Sequence, residues 1–165
     1  MDVKIKIERS LNVPAPYARV RPLLQDLEGT VRRFPKLRKL SRVGEMAYLW
    51  EMETIGSRVA SISHEVAYAA KYSVDLERGE MSWKPLPGYG NARIEGRFHL
   101  VDQGVDTRLS FRVWGELHNV PVPLMYRLLA PPFIQGKFTH LVDEFLARTG
   151  AAIGRPAGGA AAAAA

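Results

Sequence analysis

Apolar and charged residues alternate along the start of the chain, with the period of two that is typical of a half-buried β-strand. The apolar phase consists of Val3, Ile5, Ile7, Leu11 and Val13. The opposite phase carries Lys4, Lys6 and Glu8. Residues 2–13 are therefore predicted to form a strand with one face in a core.

Two short helices are predicted to follow this strand. Pro16 stands where a helix can begin, because proline loses no hydrogen bond at the first helical position. The first helix is expected to end near Leu24. Asp26 can cap a second helix over 27–33, and Phe34-Pro35 ends it, because a residue before proline resists helical angles.

The middle of the chain contains only strand-like runs, separated by glycine- and proline-rich turn signals. The runs are 37–43, 47–56, 59–76, 80–86, 91–102 and 106–117. Connections this short make consecutive strands antiparallel neighbours, since parallel crossovers need a dozen residues or more.

Residues 123–149 change to a helical period, with an apolar stripe along one side. The stripe consists of Ile134, Phe138, Leu141, Val142, Phe145 and Leu146. Pro131-Pro132 must kink or restart this helix. The whole order predicts an α+β fold, in which a curved seven-stranded antiparallel sheet wraps around one long C-terminal helix. One helix about 10–12 Å across cannot fill so wide a concavity, so a pocket is expected.

Composition limits the classes of protein that fit. The 165 residues are 47% hydrophobic and 24% charged, which indicates a single globular domain. We assign 1–150 to that domain and 151–165 to an Ala/Gly-rich tail outside it. The absence of cysteine excludes disulfides, thiol catalysis and thiolate metal sites. No apolar run is long enough for a membrane span, and a cytoplasmic location is expected.

The order of elements over 2–149 resembles the SRPBCC superfamily, also called START-like or Bet v 1-like, which has the helix-grip fold. Three stretches carry the resemblance: Val13-Pro-Ala-Pro16, Leu24-Gln-Asp26 followed by Phe34-Pro35, and the final amphipathic helix. The chain is most similar to bacterial polyketide cyclase/dehydrase and coenzyme Q-binding-like proteins. This resemblance implies an internal pocket for a hydrophobic small molecule, and it implies no shared catalytic set.

Strand phase identifies the side chains that face this pocket. On 59–76 the even positions are almost wholly apolar and the odd ones mostly polar, so the even phase points inward. The predicted ligand-binding residues are Tyr48, Trp50, Met52, Ile62, His64, Val66, Tyr68, Trp83, Phe98, Phe111 and Phe138. Aromatic rings with polar tips suit a flat apolar ligand that carries a few oxygens.

His64 is the titratable imidazole on this inner phase. It could bind a ligand oxygen, or act as a general acid or base near neutral pH together with Tyr68 or Tyr72. The alternative is a buried structural histidine that is hydrogen-bonded by Tyr48, Tyr68 or a backbone group. The other histidines show no metal-ligand spacing, so no metal site and no cofactor are predicted.

The net charge of +6 is concentrated outside the predicted pocket. Six cations lie between Arg32 and Arg42. This run could contact an anionic membrane or nucleic acid, but a solvated helix end and edge strand explains it best, and a nucleic-acid partner is not favoured. Arg97 is expected close to Arg112, which requires an acid or anion nearby.

Three functions remain open at this point. The first is a protein that binds or carries a lipid, quinone or polyketide. The second is a cyclase- or dehydratase-like enzyme that uses His64 with Tyr68 or Tyr72. The third is an adaptor whose basic surface contacts RNA, the ribosome or a protein.

Overall fold

The predicted order of strands and helices is confirmed in the computed structural model, which describes residues 1–57 and 62–153. The strands are β1 (Val3–Val13), β2 (Leu37–Gly44), β3 (Ala47–Met52), β4 (Ile55–Ser57), β5 (Ile62–His64), β6 (Ala67–Asp75), β7 (Glu80–Leu86), β8 (Ala92–Asp102) and β9 (Thr107–Leu117). The α-helices are α1 (Tyr17–Val20), α2 (Pro22–Gln25), α3 (Leu27–Val31) and α4 (Ala130–Ile153). A single 3-10 turn, Leu124–Tyr126, precedes α4.

Seven of these strands form one antiparallel sheet in the order β1-β9-β8-β7-β6-β3-β2. Strand β1 pairs with β9 over its whole length, from Val3 opposite Leu117 to Val13 opposite Thr107. The buried side of the sheet faces α4, whose apolar stripe is buried as predicted. The α+β helix-grip architecture expected from the sequence is therefore confirmed.

The short helices after β1 differ in one detail from the prediction. The first predicted helix is divided into α1 and α2 at Pro22, which has no N–H to continue the helical ladder. Asp26 caps α3 as expected, since its Oδ1 accepts a hydrogen bond of 3.0 Å from the Gly29 N–H.

Helix α4 begins at Ala130, so Pro131 and Pro132 lie in its first turn, where proline is tolerated.

The prediction of two continuous strands over 47–56 and 59–76 is wrong. Each run bends: β4 and β5 pair with each other in a separate small hairpin, whereas β3 and β6 pair in the main sheet. The side chain of Asn91 holds the second bend, accepting from the Ala67 N–H at 3.0 Å and donating to the Glu65 carbonyl at 2.7 Å. Part of the second run, 59–61, lies outside the described residues.

Helix α4 runs past the expected domain boundary at residue 150. It continues to Ile153, whose side chain is buried, and residues 154–165 of the predicted tail lie outside the described part of the chain. In the described ranges, 1–57 and 62–153, no helix combines the length and the apolar character needed to cross a bilayer.

The same helix covers the free edge of β1. The Gln135 amide accepts a hydrogen bond from the Lys6 N–H at 3.1 Å and donates one to the Lys6 carbonyl at 2.7 Å. An ion pair between Arg9 Nε and Asp143 Oδ1, at 2.8 Å, lies further along the same edge. These contacts fix the position of α4 over the inner face of the sheet.

Candidate ligand-binding site

The inner face of the sheet and α4 enclose an apolar cavity of about 50 Å³. Seven of the predicted ligand-binding residues line it: Trp50, Met52, Tyr68, Trp83, Phe98, Phe111 and Phe138. Tyr72, named above as a catalytic candidate, lines it too. Phe34 and Val31 also line it, and strand phase does not predict them because both lie outside the strands.

The cavity wall is a continuous aromatic cluster, which follows from the strand register. Trp50 lies opposite Tyr68 on β3 and β6, and the two rings stack with centroids 5.4 Å apart. Tyr72 lies opposite Trp83 on β6 and β7, at 5.7 Å. Gly96 on β8 is opposite Trp83 and leaves room for its indole ring. Aromatic pairs at these separations are stabilising beyond the area they bury.

One polar pair lies within this aromatic wall. The Trp50 indole N–H donates a hydrogen bond of 2.8 Å to the Tyr72 hydroxyl oxygen, and both side chains are buried. Burial raises the pKa of Tyr72 and also that of Tyr68, so both phenols stay protonated at neutral pH. Because Trp50 occupies an acceptor position of the Tyr72 oxygen, the Tyr72 O–H hydrogen is left for another acceptor.

His64 lies in a second, smaller cavity of about 10 Å³ beneath the β4–β5 hairpin. Ile62 and Val66 line this cavity with it, and Phe138 lines both cavities. The structure therefore does not bring His64 into the cavity of Tyr68 and Tyr72.

The imidazole of His64 has an unpaired nitrogen among the described residues. Its Nε2 atom is buried and has no hydrogen-bond partner within the described part of the chain, so it is bonded neither by Tyr48 or Tyr68 nor by the backbone of the described residues. Burial lowers the pKa of His64, and the positive N-terminus lowers it further, which keeps the ring neutral at pH 7. A neutral, half-buried imidazole whose buried Nε2 is unpaired is a hydrogen-bonding site for a polar ligand atom.

Tyr48 is buried at the edge of the aromatic cluster and does not line either cavity. Its hydroxyl donates to Glu28 Oε1 at 3.0 Å, toward the outer cleft beside α2 and α3. Burial and the adjacent Glu28 carboxylate raise the pKa of Tyr48. Tyr48 therefore connects the inner cluster to the surface of the short helices.

On the outer face of the sheet, two neighbouring arginine side chains are each paired with a glutamate. Arg97 and Arg112 lie directly opposite each other, as predicted. Arg97 Nη1 is 3.7 Å from Glu80 Oε1, and Arg112 Nε is 3.8 Å from Glu8 Oε1. These exposed pairs offset the repulsion between the two guanidinium groups.

The basic run over 32–42 begins at the C-cap of α3 and continues into the edge strand β2. Arg32 Nη2 is 3.9 Å from Glu28 Oε2, and Arg42 Nε donates to the Gly44 carbonyl at 3.2 Å. Arg38 and Lys39 are exposed on the edge strand. Cations along an edge discourage pairing with another sheet, which agrees with the interpretation favoured from the sequence.

A group of possible metal ligands, Asp2, Glu116 and His118, is brought together where β1 pairs with β9. Their ligand atoms lie within 4.8 Å of one another. Asp2 is already held by the Asn119 N–H at 3.0 Å and lies 3.6 Å from His118 Nδ1. The hydrogen bond from Asn119 is the main reason that the pKa of Asp2 is lowered. Only the strand register reveals this group, because Asp2 is more than a hundred positions from Glu116 and His118 in the sequence.

No family model matches the sequence, and no curated protein matches it. Solved structures do match, over nearly the whole chain.

A START superfamily protein from Mycobacterium smegmatis has 12% identity and a TM-score of 0.64, covering 90% of this chain and 96% of that one. An aromatase/cyclase from a Streptomyces species has 13% identity and a TM-score of 0.61, covering 91% and 93%. A norcoclaurine synthase from Thalictrum has 16% identity and a TM-score of 0.58, covering 93% and 96%.

These structures define the class of fold to which the chain belongs. It has the START-like, Bet v 1-like helix-grip fold, as the resemblance in the sequence implied. At these identities the likeness concerns the fold, and function has to be argued from the site.

Proposed function

We propose that this protein binds a hydrophobic small molecule with at least one oxygen acceptor, such as a lipid, quinone or polyketide, between the sheet and α4. The observation that supports it is the Trp50–Tyr72 pair in an otherwise apolar aromatic wall. Binding pockets are mostly apolar, with a few polar groups that set orientation.

Tyr72 is the residue that orients the ligand in this proposal. Its raised pKa keeps the O–H intact, and the bond from Trp50 leaves that O–H as a donor. A ligand carbonyl or hydroxyl accepts from Tyr72, while Trp83 and Tyr68 contact the flat apolar part. His64 supplies a second hydrogen bond through its open Nε2 when the ligand reaches the smaller cavity.

The ligand must enlarge the cavity to enter. A cavity of about 50 Å³ holds a few water molecules, whereas ligand pockets enclose about 300–1,000 Å³. Phe138 lines both cavities, so a change in its rotamer would join them. Met52 and Met81 also line the larger one, and methionine adapts its shape readily.

Native mass spectrometry of the freshly purified protein tests the proposal, together with titration of an apolar fluorescent probe. We expect a retained small molecule or saturable probe binding. Val142→Phe places a ring in the cavity from α4 and should abolish both. Val101→Phe, the same change at an exposed position of β8, should leave both intact. Wild-type protein that retains nothing and binds no probe would overturn the proposal.

A cyclase-like activity is the second candidate, and the open Nε2 of His64 favours it. A neutral imidazole can take a proton from a flexible substrate whose carbonyl is held by Tyr72. If so, His64→Gln should lower the turnover of a linear poly-β-keto thioester while probe binding persists. Unchanged turnover would reject the assignment of His64 as the base.

A further inference from the structure

The turn before α4 exposes four large apolar side chains within six residues. The exposed fractions are 79% for Leu124, 79% for Met125, 91% for Leu128 and 64% for Leu129. We call residues 124–129 the apolar turn. Contiguous exposed apolar residues of this kind mark a contact surface rather than ordinary surface scatter.

Local backbone structure holds the apolar turn in this outward position. The Tyr126 N–H donates to the Pro123 carbonyl at 2.9 Å, and the Leu129 N–H donates to the Tyr126 carbonyl at 3.0 Å. Tyr126 is half-buried and Ala130 is fully buried, so both anchor the turn from below. The prolines before it and in the first turn of α4 prevent the helix from extending back to cover it.

In the sequence on both sides of the apolar turn, the charged side chains are all positive. Residues 117–142 contain no aspartate or glutamate. They carry Arg127 within the turn and Lys137 two helical turns later, and both are exposed. The Lys137 ammonium lies 5.4 Å from the centre of the Phe133 ring. The nearby Asp2 carboxylate faces His118, 3.6 Å away.

The apolar turn lies at the end of the sheet where the smaller cavity is found. Phe133 and Ile134, just after the turn, line the cavity of His64. The opposite end of the β8–β9 hairpin carries Val105, which is 87% exposed. Eleven residues of strand separate the two ends by about 33 Å.

We propose that the apolar turn docks this protein on an anionic phospholipid bilayer. Its four apolar side chains enter the interface, and Arg127 and Lys137 face the lipid headgroups. A short wedge of six residues suits a fluid surface, because a stable dimer needs about 800 Å² of matched surface on each partner. This inference does not rest on the proposed ligand-binding function.

Vesicle flotation tests the docking surface directly. We expect wild-type protein to float with vesicles of phosphatidylcholine mixed with phosphatidylglycerol, and more weakly with phosphatidylcholine alone. Leu124→Asp combined with Leu128→Asp should lower the vesicle-bound fraction at least about tenfold. Val105→Asp, at an equally exposed apolar position on the far end, is the matched control and should bind like wild type.

Two further measurements test the alternatives, which are binding through the basic run and association with a second copy of the chain. Arg38→Ala with Lys39→Ala removes exposed cations of the basic run, and we expect it to leave flotation unchanged. The proposal would be overturned if the Arg38→Ala/Lys39→Ala variant no longer bound vesicles while the Leu124→Asp/Leu128→Asp variant bound them fully. Wild-type protein that floats with neither kind of vesicle would also overturn it. So would a wild-type dimer in sedimentation that Leu128→Asp dissociates, because a second copy of the chain would then cover the apolar turn.

Discussion

The hydrogen bond between Trp50 and Tyr72 makes a measurable contribution to stability that Tyr72→Phe should remove. The two side chains are 5% and 4% exposed, so water cannot replace the lost acceptor in the folded state. The Trp50 indole N–H would be left buried and unpaired, which costs about 1–3 kcal/mol. In a chain of this size each kcal/mol lowers Tm by roughly 2–4 °C.

A double-mutant cycle with urea denaturation separates this bond from the packing of the rings. Trp50→Phe, Tyr72→Phe and the double variant are each compared with wild type, and the coupling energy should be about 0.5–1.5 kcal/mol. Tyr89→Phe removes a hydroxyl from an exposed loop and should change stability by less than about 0.5 kcal/mol. A coupling energy indistinguishable from zero would refute the bond, and with it the assignment of Tyr72 as a positioned donor.

Three other changes test separate parts of the structure. Because burial lowers the pKa of His64, stability should fall as pH drops below about 6.5, the unfolded value. Between pH 5.5 and 7.5 the urea midpoint should therefore depend less on pH in His64→Gln than in wild type, whereas His140→Gln should behave like wild type. The same pH dependence in wild type and His64→Gln would contradict this. Gly96→Ala places a Cβ 2.6 Å from the Arg112 carbonyl oxygen and should lower stability by about 1–3 kcal/mol, so an unchanged midpoint would contradict the close packing at β8. Asp26→Ala should cost about 0.5–2 kcal/mol through loss of the α3 cap, whereas Asp26→Asn should recover most of it.

Period-two alternation was enough to predict the strands and their buried face. Val66 shows why the same signal missed the bend between β5 and β6. Its side chain stays buried at 1% exposure, so the alternation continues although the backbone changes partners there. Alternation reports which face a side chain occupies, but pairing depends on contacts such as those of Asn91, which lies in the loop between β7 and β8.

The candidate site was predicted as one surface, and the structure divides it. Trp50, Tyr68 and Trp83 line one cavity, His64 lines the other, and Phe138 lines both. His64 lies on β5, which pairs with β4 outside the main sheet, and the residue common to both cavities is on a helix more than seventy positions away. The small volume of the cavities reflects side-chain packing in three dimensions, which strand phase does not encode.

The amide of Gln135 limits where two molecules of this protein could pair edge to edge. Strands β1 and β2 are the two ends of the sheet, and an open backbone at such an end is a template for adding strands from other molecules. Gln135 occupies the N–H and C=O of Lys6 as a neighbouring strand would, so another strand cannot pair with β1 at that residue. Strand β2 has no comparable cover among the described residues and relies on the charges of Arg38 and Lys39, so crowding at high salt would first bring molecules together along β2.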